Sequence, residues 1–440
     1  MTQRSTIPHV SHHRAVLLGP VVALLAMPAW ATSVTERISV GPRGVQGSDF
    51  GVSSTSSVSA SGRYIAFESA ADNLVAGDTN DNSDVFLRDR KVGTTRRMSL
   101  GPQGVQGNGP SRGAVVAAGG RFVGFSSLAT NLVANDTKGH WDAFVRDRGT
   151  SATERVSVSS AGVEGNDDSF LWAISSGGRF ALLVSDASNL VPGDTNAAPD
   201  VFLRDRRLSL TRRISVGAGG VQADGGSFGA DMSANGRFVT FESDATNLVG
   251  GDTNGHHDIF LRDQRTGTTT LVSIGRGGQP ADDDSLYPAI SADGLYVSFS
   301  SLASNLVSGD TNSQADIFLY DRLSRKTERV SVTSAGRQGE GGAYRSSISA
   351  DGRFITFESS DSELLQGDTN DAFDVFLRDR VRGTTRLLSV ALGGGVGNGS
   401  SEAPAISADG STVAYESEAS NLVPDDTNKA RDIFARVPAH

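Results

Sequence analysis

Residues 233–263 read SANGRFVTFESDATNLVGGDTNGHHDIFLRD. Asn235-Gly236 is the dipeptide that best suits a two-residue hairpin turn, because both positions tolerate positive φ. Arg237 to Ser243 then alternates apolar and polar residues, as a half-buried strand does. A loop follows from Asp244 to His257, and Asp258 to Asp263 (DIFLRD) resumes as a strand. Upstream, Phe228 to Met232 reads as a first strand. Downstream, Arg265-Thr266-Gly267 turns the chain into a fourth, Thr269 to Ile274, rich in β-branched residues. A Gly-rich link, Gly275 to Asp284, leads onward. No segment shows helical periodicity.

The same pattern recurs every 58 residues. Asp78, Asp136, Asp194, Asp252, Asp310, Asp368 and Asp426 mark the period, and so do the turn glycines Gly62, Gly120, Gly178, Gly236, Gly294, Gly352 and Gly410. Self-similarity at such a period signals a repeat architecture, and four antiparallel strands per repeat is the pattern of a propeller blade. The predicted fold is therefore all-β: a seven-bladed β-propeller with four antiparallel strands in each blade. The seventh copy stops after its third strand. The missing fourth is predicted at the other end of the chain, where Thr35 to Val40 (TERISV) matches Thr153 to Val158 and Thr327 to Val332. Pairing of this segment with the last blade would close the ring and remove two exposed sheet edges. The seven copies fill nearly all of residues 32–440, leaving no room within them for a separate catalytic domain.

Residues 1–31 read as an export signal. Arg4 and Arg14 precede an apolar run, Ala15 to Ala26, and Ala29-Trp30-Ala31 resembles a cleavage site. A retained membrane anchor is the alternative. No other segment is long and apolar enough to span a bilayer. Without Arg4 and Arg14 the formal charge moves from −10 to −12. Such an acidic chain, with its arginines scattered, is a poor partner for nucleic acid. The chain has no Cys, which excludes disulfides and thiolate chemistry.

The run Ile290-Ser291-Ala292-Asp293-Gly294, with Val297-Ser298-Phe299 and Asp316-Ile317-Phe318, resembles the TolB-like, WD-repeat-like propeller repeat of bacterial proteins. Ile348 to Phe357 with Asp374 to Asp379 matches as well. The resemblance covers all seven copies. It implies a periplasmic or secreted propeller serving as a binding module or assembly partner. The chain departs from TolB in having seven copies where TolB has six blades. It also carries a longer Asn-Leu-x-x-x-Asp-Thr-Asn loop.

That loop supplies the metal-ligand candidates. Its oxygens recur as Asp78, Asn80 and Asp84; Asp194, Asn196 and Asp200; Asp252, Asn254 and Asp258. They continue as Asp310, Asn312 and Asp316; Asp368, Asn370 and Asp374; Asp426, Asn428 and Asp432. The second copy has Asp136, Lys138 and Asp142. Ca²⁺ takes about six to eight such oxygens. The same residues also form Asx-turns that would fasten a long loop from within, and a feature present in every blade more often belongs to the architecture. The Arg–Asp pairs ending third strands (Arg88-Asp89, Arg204-Asp205, Arg262-Asp263) and the Ser after each second strand, such as Ser69 and Ser243, are read as structural anchors.

No nucleophile elbow, catalytic triad or phosphate loop appears. His140 and His256 fall in non-adjacent blades, so a closed His-rich zinc site is not expected. Paired carboxylates occur at Asp167-Asp168 and Asp282-Asp283-Asp284. Phe50, Phe170, Trp141 and Tyr287 are candidate aromatic contacts near the loop-rich rim, where the variable interblade links emerge, although blade packing accounts for each more simply. The expectation is a monomeric, exported, non-catalytic scaffold that needs no cofactor and binds a protein, peptide or glycan on that face. The alternatives are a Ca²⁺-stabilised propeller, and a hydrolase or lyase with its site at the channel mouth.

Overall fold

The computed structural model describes residues 33–48 and 53–439. The export signal expected over residues 1–31 and the candidate Phe50 lie outside the described residues. Seven four-stranded antiparallel sheets follow one another around a ring. The fourth blade holds Ser227–Met232, Phe238–Ser243, Asp258–Asp263 and Thr268–Leu271, paired in that order. Its outer strand ends three residues before the expected limit. Val272 N–H still bonds Ile259 C=O at 2.7 Å, but Ile274 turns away into an isolated bridge with Pro280.

The ring closes as the repeat arithmetic requires. Ser33–Arg37 pairs antiparallel with Asp432–Pro438, with Arg37 opposite Phe434 and Ser33 opposite Pro438. The first strand of each blade lies nearest the axis. Its side chains reach the next first strand directly: Val116 N–H donates to Ser57 Oγ at 3.2 Å, and Ile290 N–H donates to an Asp231 carboxylate oxygen at 2.9 Å. Every first strand carries a register shift near its middle, as at Arg112/Val115 and Tyr344/Ser347. Bulges of this kind re-aim side chains, and here they turn residues toward the channel.

Each blade is glued to the next by aromatics of its two central strands. Phe67 and Phe86 stack at 5.8 Å between centroids, and Phe241 with Phe260 and Phe357 with Phe376 repeat that spacing. All six are fully buried. The turn glycines serve this packing as well as the turn. Gly178 has φ +73, and a Cβ there would stand 2.1 Å from the Phe122 ring of the preceding blade. Positive φ alone is a local demand; the ring contact makes the glycine a spacer between blades.

The anchoring Ser behaves as expected, with Ser243 Oγ accepting from Ala245 N–H at 3.1 Å and donating to Gly226 C=O at 2.6 Å. The Arg–Asp pairs are wired differently from their sequence adjacency. Asp89 pairs with Arg63 at the start of the second strand, in a two-pronged contact of 2.9 and 2.7 Å. Arg88 reaches instead to Thr95 Oγ1 at 3.1 Å.

Candidate functional site

The Asp-Thr-Asn loops come together blade by blade around a guanidinium. In the third blade, Arg213 stands 3.2 Å from both Asp194 and Asp200. Ser215 Oγ donates to Asp200 at 2.5 Å and Gln222 donates to Asp194 at 3.0 Å. Arg97 joins Asp78 and Asp84 in the first blade, and Arg329 joins Asp310 and Asp316 in the fifth. Arg37 joins Asp426 and Asp432 in the seventh. In the second, Arg155 stands 3.5 Å from Asp136, 3.1 Å from Asp142 and 2.7 Å from Glu164. The cationic place between the two carboxylates is thus taken by an arginine in five blades.

The loop asparagines fasten the loop to the interblade link. Asn80, Asn196, Asn312 and Asn428 donate to carbonyls of the interblade link, those of Gly107, Ala223, Gly339 and Gly47, at 2.9 to 3.1 Å. Lys138 does the same work in the second blade, reaching Gly165 C=O at 3.3 Å. Blades four and six differ. Leu271 and Leu387 stand where the arginine stands elsewhere, opposite Phe260 and Phe376. There Asn254 and Asn370 keep the link bond, to Ala281 and Gly397 C=O at 2.9 and 3.0 Å, and donate to Asp258 and Asp374 at 2.6 and 2.8 Å, closer than Asn80 to Asp84 at 3.4 Å or Asn428 to Asp432 at 3.2 Å.

Burial pushes the inner aspartates of this ring upward; Asp200, Asp258, Asp316 and Asp374 reach about 6 from 3.8. The turn aspartates Asp147 and Asp263 move the other way, to about 2, because Arg121 and Arg237 hydrogen-bond them. A raised carboxylate stabilises the fold below its unfolded value, and that contribution is lost as pH rises through about 6. The lowered pair contributes above 3.8 and is lost as pH falls toward 2. The melting temperature is therefore expected to peak near pH 4, to fall as pH rises to about 6, and to level off above that. Melts at pH 5 and pH 8 check this, and a higher melt at pH 8 would contradict it.

Among the described residues, three groups bring potential metal ligands within 4.8 Å of one another: His140 with Asp167 and Asp168, His256 with Asp283 and Asp284, and Asp136 with Asp142 and Glu164. Arg155 already occupies the last. The two histidines do not meet each other. Each faces its own acidic link, with His140 Nδ1 3.5 Å from Asp168 and His256 Nδ1 3.4 Å from Asp284. Imidazole with two carboxylates suits a divalent cation that accepts mixed N and O donors.

Beside the first of these groups, the loop-face mouth of the channel opens into a cavity of about 610 Å³. Glu68, Arg112, Phe170, Trp172, Asp186 and Phe228 line it, drawn from the first four blades. The Arg112 guanidinium lies 3.9 Å from the centroid of Trp141 and 4.9 Å from that of Phe170. Trp172 is 44% exposed. Glu68 accepts the Gly113 N–H at 2.9 Å and so holds the bulge beside Arg112. Partial burial raises the Asp186 carboxyl, and the neighbouring Asp167 and Asp168 charges raise it further. A large concave site with aromatic walls and a few convergent charged groups is the ordinary form of a ligand site, and a carboxyl with a raised pKa suits proton transfer.

No protein-family model and no curated protein sequence matches the chain. Solved structures do. An oligogalacturonate lyase from Vibrio parahaemolyticus superposes at TM-score 0.54 and 11% identity, over 92% of this chain and 97% of its own. A second, described as oligogalacturonate lyase in complex with manganese, gives 0.53 and 10%, over 93% and 97%. A prolyl endopeptidase gives 0.54 and 11%, over 89% of this chain but 51% of its own. TolB from Acinetobacter baumannii matches at 0.41 and 14% identity, over 89% of this chain and 79% of its own. At these identities the likeness is one of β-propeller fold, and the TolB resemblance of the repeat goes no further than that.

The matched enzymes correct one expectation. Missing motifs do not establish a non-catalytic scaffold, because solved propellers that match this chain nearly end to end are described as lyases. A search for contiguous motifs misses such a site. Arg112 lies on the first strand of the second blade, Phe170 and Trp172 share the first strand of the third, and Asp186 follows that blade's second strand, so they meet only when the blades pack. Trp141 and Phe170, candidate contacts near the rim, stand around Arg112, a contact the sequence did not show. The available signal was variation: the first strands hold Arg112, Trp172, Tyr287 and Arg345 at positions whose residue type changes from copy to copy, as Arg112 does against Ser54, Phe170, Leu286 and Glu402.

Proposed function

We propose that the protein is an enzyme working at the loop-face mouth of its channel, cleaving an anionic oligosaccharide by β-elimination. The observation that carries this reading is the convergence of Arg112, an aromatic wall and Asp186 on one cavity. A uronate unit presents a carboxylate, apolar ring faces and an acidic C–H next to the carboxylate. Trp172 and Phe170 offer surfaces on which sugar rings stack. Arg112 pairs with the carboxylate and stabilises the charge that grows on it as the C–H proton leaves. Asp186 takes that proton as general base. The C–C bond becomes a double bond, the C–O bond to the next sugar breaks, and the leaving oxygen is protonated from solvent at the open mouth. A divalent cation held by His140, Asp167 and Asp168 would supply further neutralisation of the substrate carboxylate. An exported protein, as residues 1–31 suggest, meets such polymers outside the cell.

The eliminative reading is favoured over peptide hydrolysis because the prolyl endopeptidase match covers only about half of that protein. Asp186→Asn is expected to lower kcat by about 10²–10⁴-fold, the usual contribution of a general base, with little change in the melt. Steady-state kinetics on oligouronates measure it, and an unchanged kcat would remove Asp186 from the mechanism.

A further inference from the structure

The same bulge position of the first strand can be followed from blade to blade. In blades two and four it is Gly113 and Gly229, both at positive φ, as the local backbone favours. In blades five, six and seven it is Tyr287 at φ 55, Arg345 at φ 43 and Ala403 at φ 49, and only the first two carry large side chains. Large side chains rarely adopt that conformation, and persistent strain of this sort clusters at functional positions. Both side chains stand open to the channel, with Tyr287 39% exposed and the Arg345 side chain 50% exposed.

The two residues act together. The Arg345 guanidinium lies 5.7 Å from the Tyr287 ring centroid. Its nearest carboxylate, Glu358, is 3.9 Å away, and the other oxygen of Glu358 is committed to the Ala403 N–H at 2.6 Å. Glu242 fixes the strained Tyr287 backbone by accepting its N–H at 2.7 Å. By contrast Arg431, in the seventh blade, is saturated by Glu402, Glu416 and Glu418. The arrangement repeats, on the far side of the ring, the arginine-on-aromatic pair formed by Arg112 with Trp141 and Phe170.

We infer that Tyr287 and Arg345 form a second subsite of the channel mouth, binding another anionic sugar unit of the same chain that Arg112 engages. The inference rests on the oligosaccharide reading above and adds to it that the ligand carries at least two anionic units. Arg345 pairs with the second carboxylate, and Tyr287 provides the stacking face. The subsite is one for positioning and lies outside the bond-breaking site, so single-unit ligands do not sense it.

The test is calorimetric binding of oligogalacturonates of increasing length, alongside turnover, for wild type, Arg345→Gln, Tyr287→Gly and Arg112→Gln. Arg345→Gln is expected to weaken binding of the longer oligomers by about tenfold, as loss of a charge-assisted hydrogen bond does, and to leave the monomer unaffected. Tyr287→Gly is expected to weaken long-oligomer binding while melting no lower than wild type, because glycine suits φ 55. That outcome cannot come from misfolding. Equal affinities of wild type and Arg345→Gln for every length would overturn the subsite and leave the Arg112 site standing. Weaker binding in Arg345→Gln without turnover in any protein would keep the subsite and remove the lyase chemistry. Absence of binding by wild type at every length would overturn both.

Discussion

Deletion of residues 33–40 is expected to abolish the cooperative melt of the propeller. These residues are the fourth strand of the last blade. Without them Asp432–Pro438 becomes an unpaired edge. Ile38 and Val40 leave the core, where they are 1% and 6% exposed, and each such side chain contributes about 1.5–3 kcal/mol. Arg37 leaves Asp426 and Asp432 without their cation, and Ser39 no longer donates to Asp432. Breaking a buried ion pair from one side costs about 3–5 kcal/mol. Together these losses rival the whole stability of a typical domain, about 5–15 kcal/mol. Circular dichroism during heating measures the effect. A deletion protein that melts with wild-type sharpness and midpoint would show that the ring does not depend on this closure.

Arg213→Ala is expected to cost about 3–5 kcal/mol, because it leaves Asp194 and Asp200 buried together without a cation. Asp200 is fully buried and Asp194 nearly so, and Gln222 and Ser215 cannot replace the charge. Blades four and six show what the fold does when the arginine is absent: the asparagine contact to the second carboxylate, 3.4 and 3.2 Å in the first and seventh blades, is 2.6 and 2.8 Å there. Asp258→Asn in the fourth blade is therefore expected to be neutral or stabilising at pH 8, since it removes a buried charge that has no guanidinium. Urea denaturation at pH 8 compares the two variants. If Arg213→Ala matched wild type while Asp258→Asn was strongly destabilised, the loops would be held by something other than the arginine.

The contrast between what was and was not legible follows from distance along the chain. The blade is local. Asn235-Gly236, the alternation of Arg237 to Ser243 and the β-branched Thr268–Leu271 lie within one repeat, and the repeat recurs seven times. Even closure was legible, because Thr35 to Val40 copies a strand found elsewhere. The arginine at the heart of each Asp-Thr-Asn loop was harder to find. Arg97 follows Asp84 by a strand, a turn and most of another strand, and the pairing appears only once Phe86 is seen opposite Arg97. The oxygen-rich loop suggests a cation, and the chain supplies one from its own outer strand in five blades. The channel mouth was least legible. Glu68, Arg112, Trp172 and Phe228 belong to four successive blades and become neighbours through curvature of the ring. Tyr287 looks like blade packing until its positive φ and exposure are known.

The eliminative reading is tested most directly by incubating the protein with oligogalacturonates, with and without divalent cation, and following ultraviolet absorbance and product masses. Elimination creates a C=C bond conjugated to the carboxylate and releases products whose summed mass equals that of the substrate. The account predicts a rise in absorbance that is lost in Asp186→Asn and Arg112→Gln. Products heavier in sum by one water, or an absorbance that never rises although the oligomer binds, would contradict it.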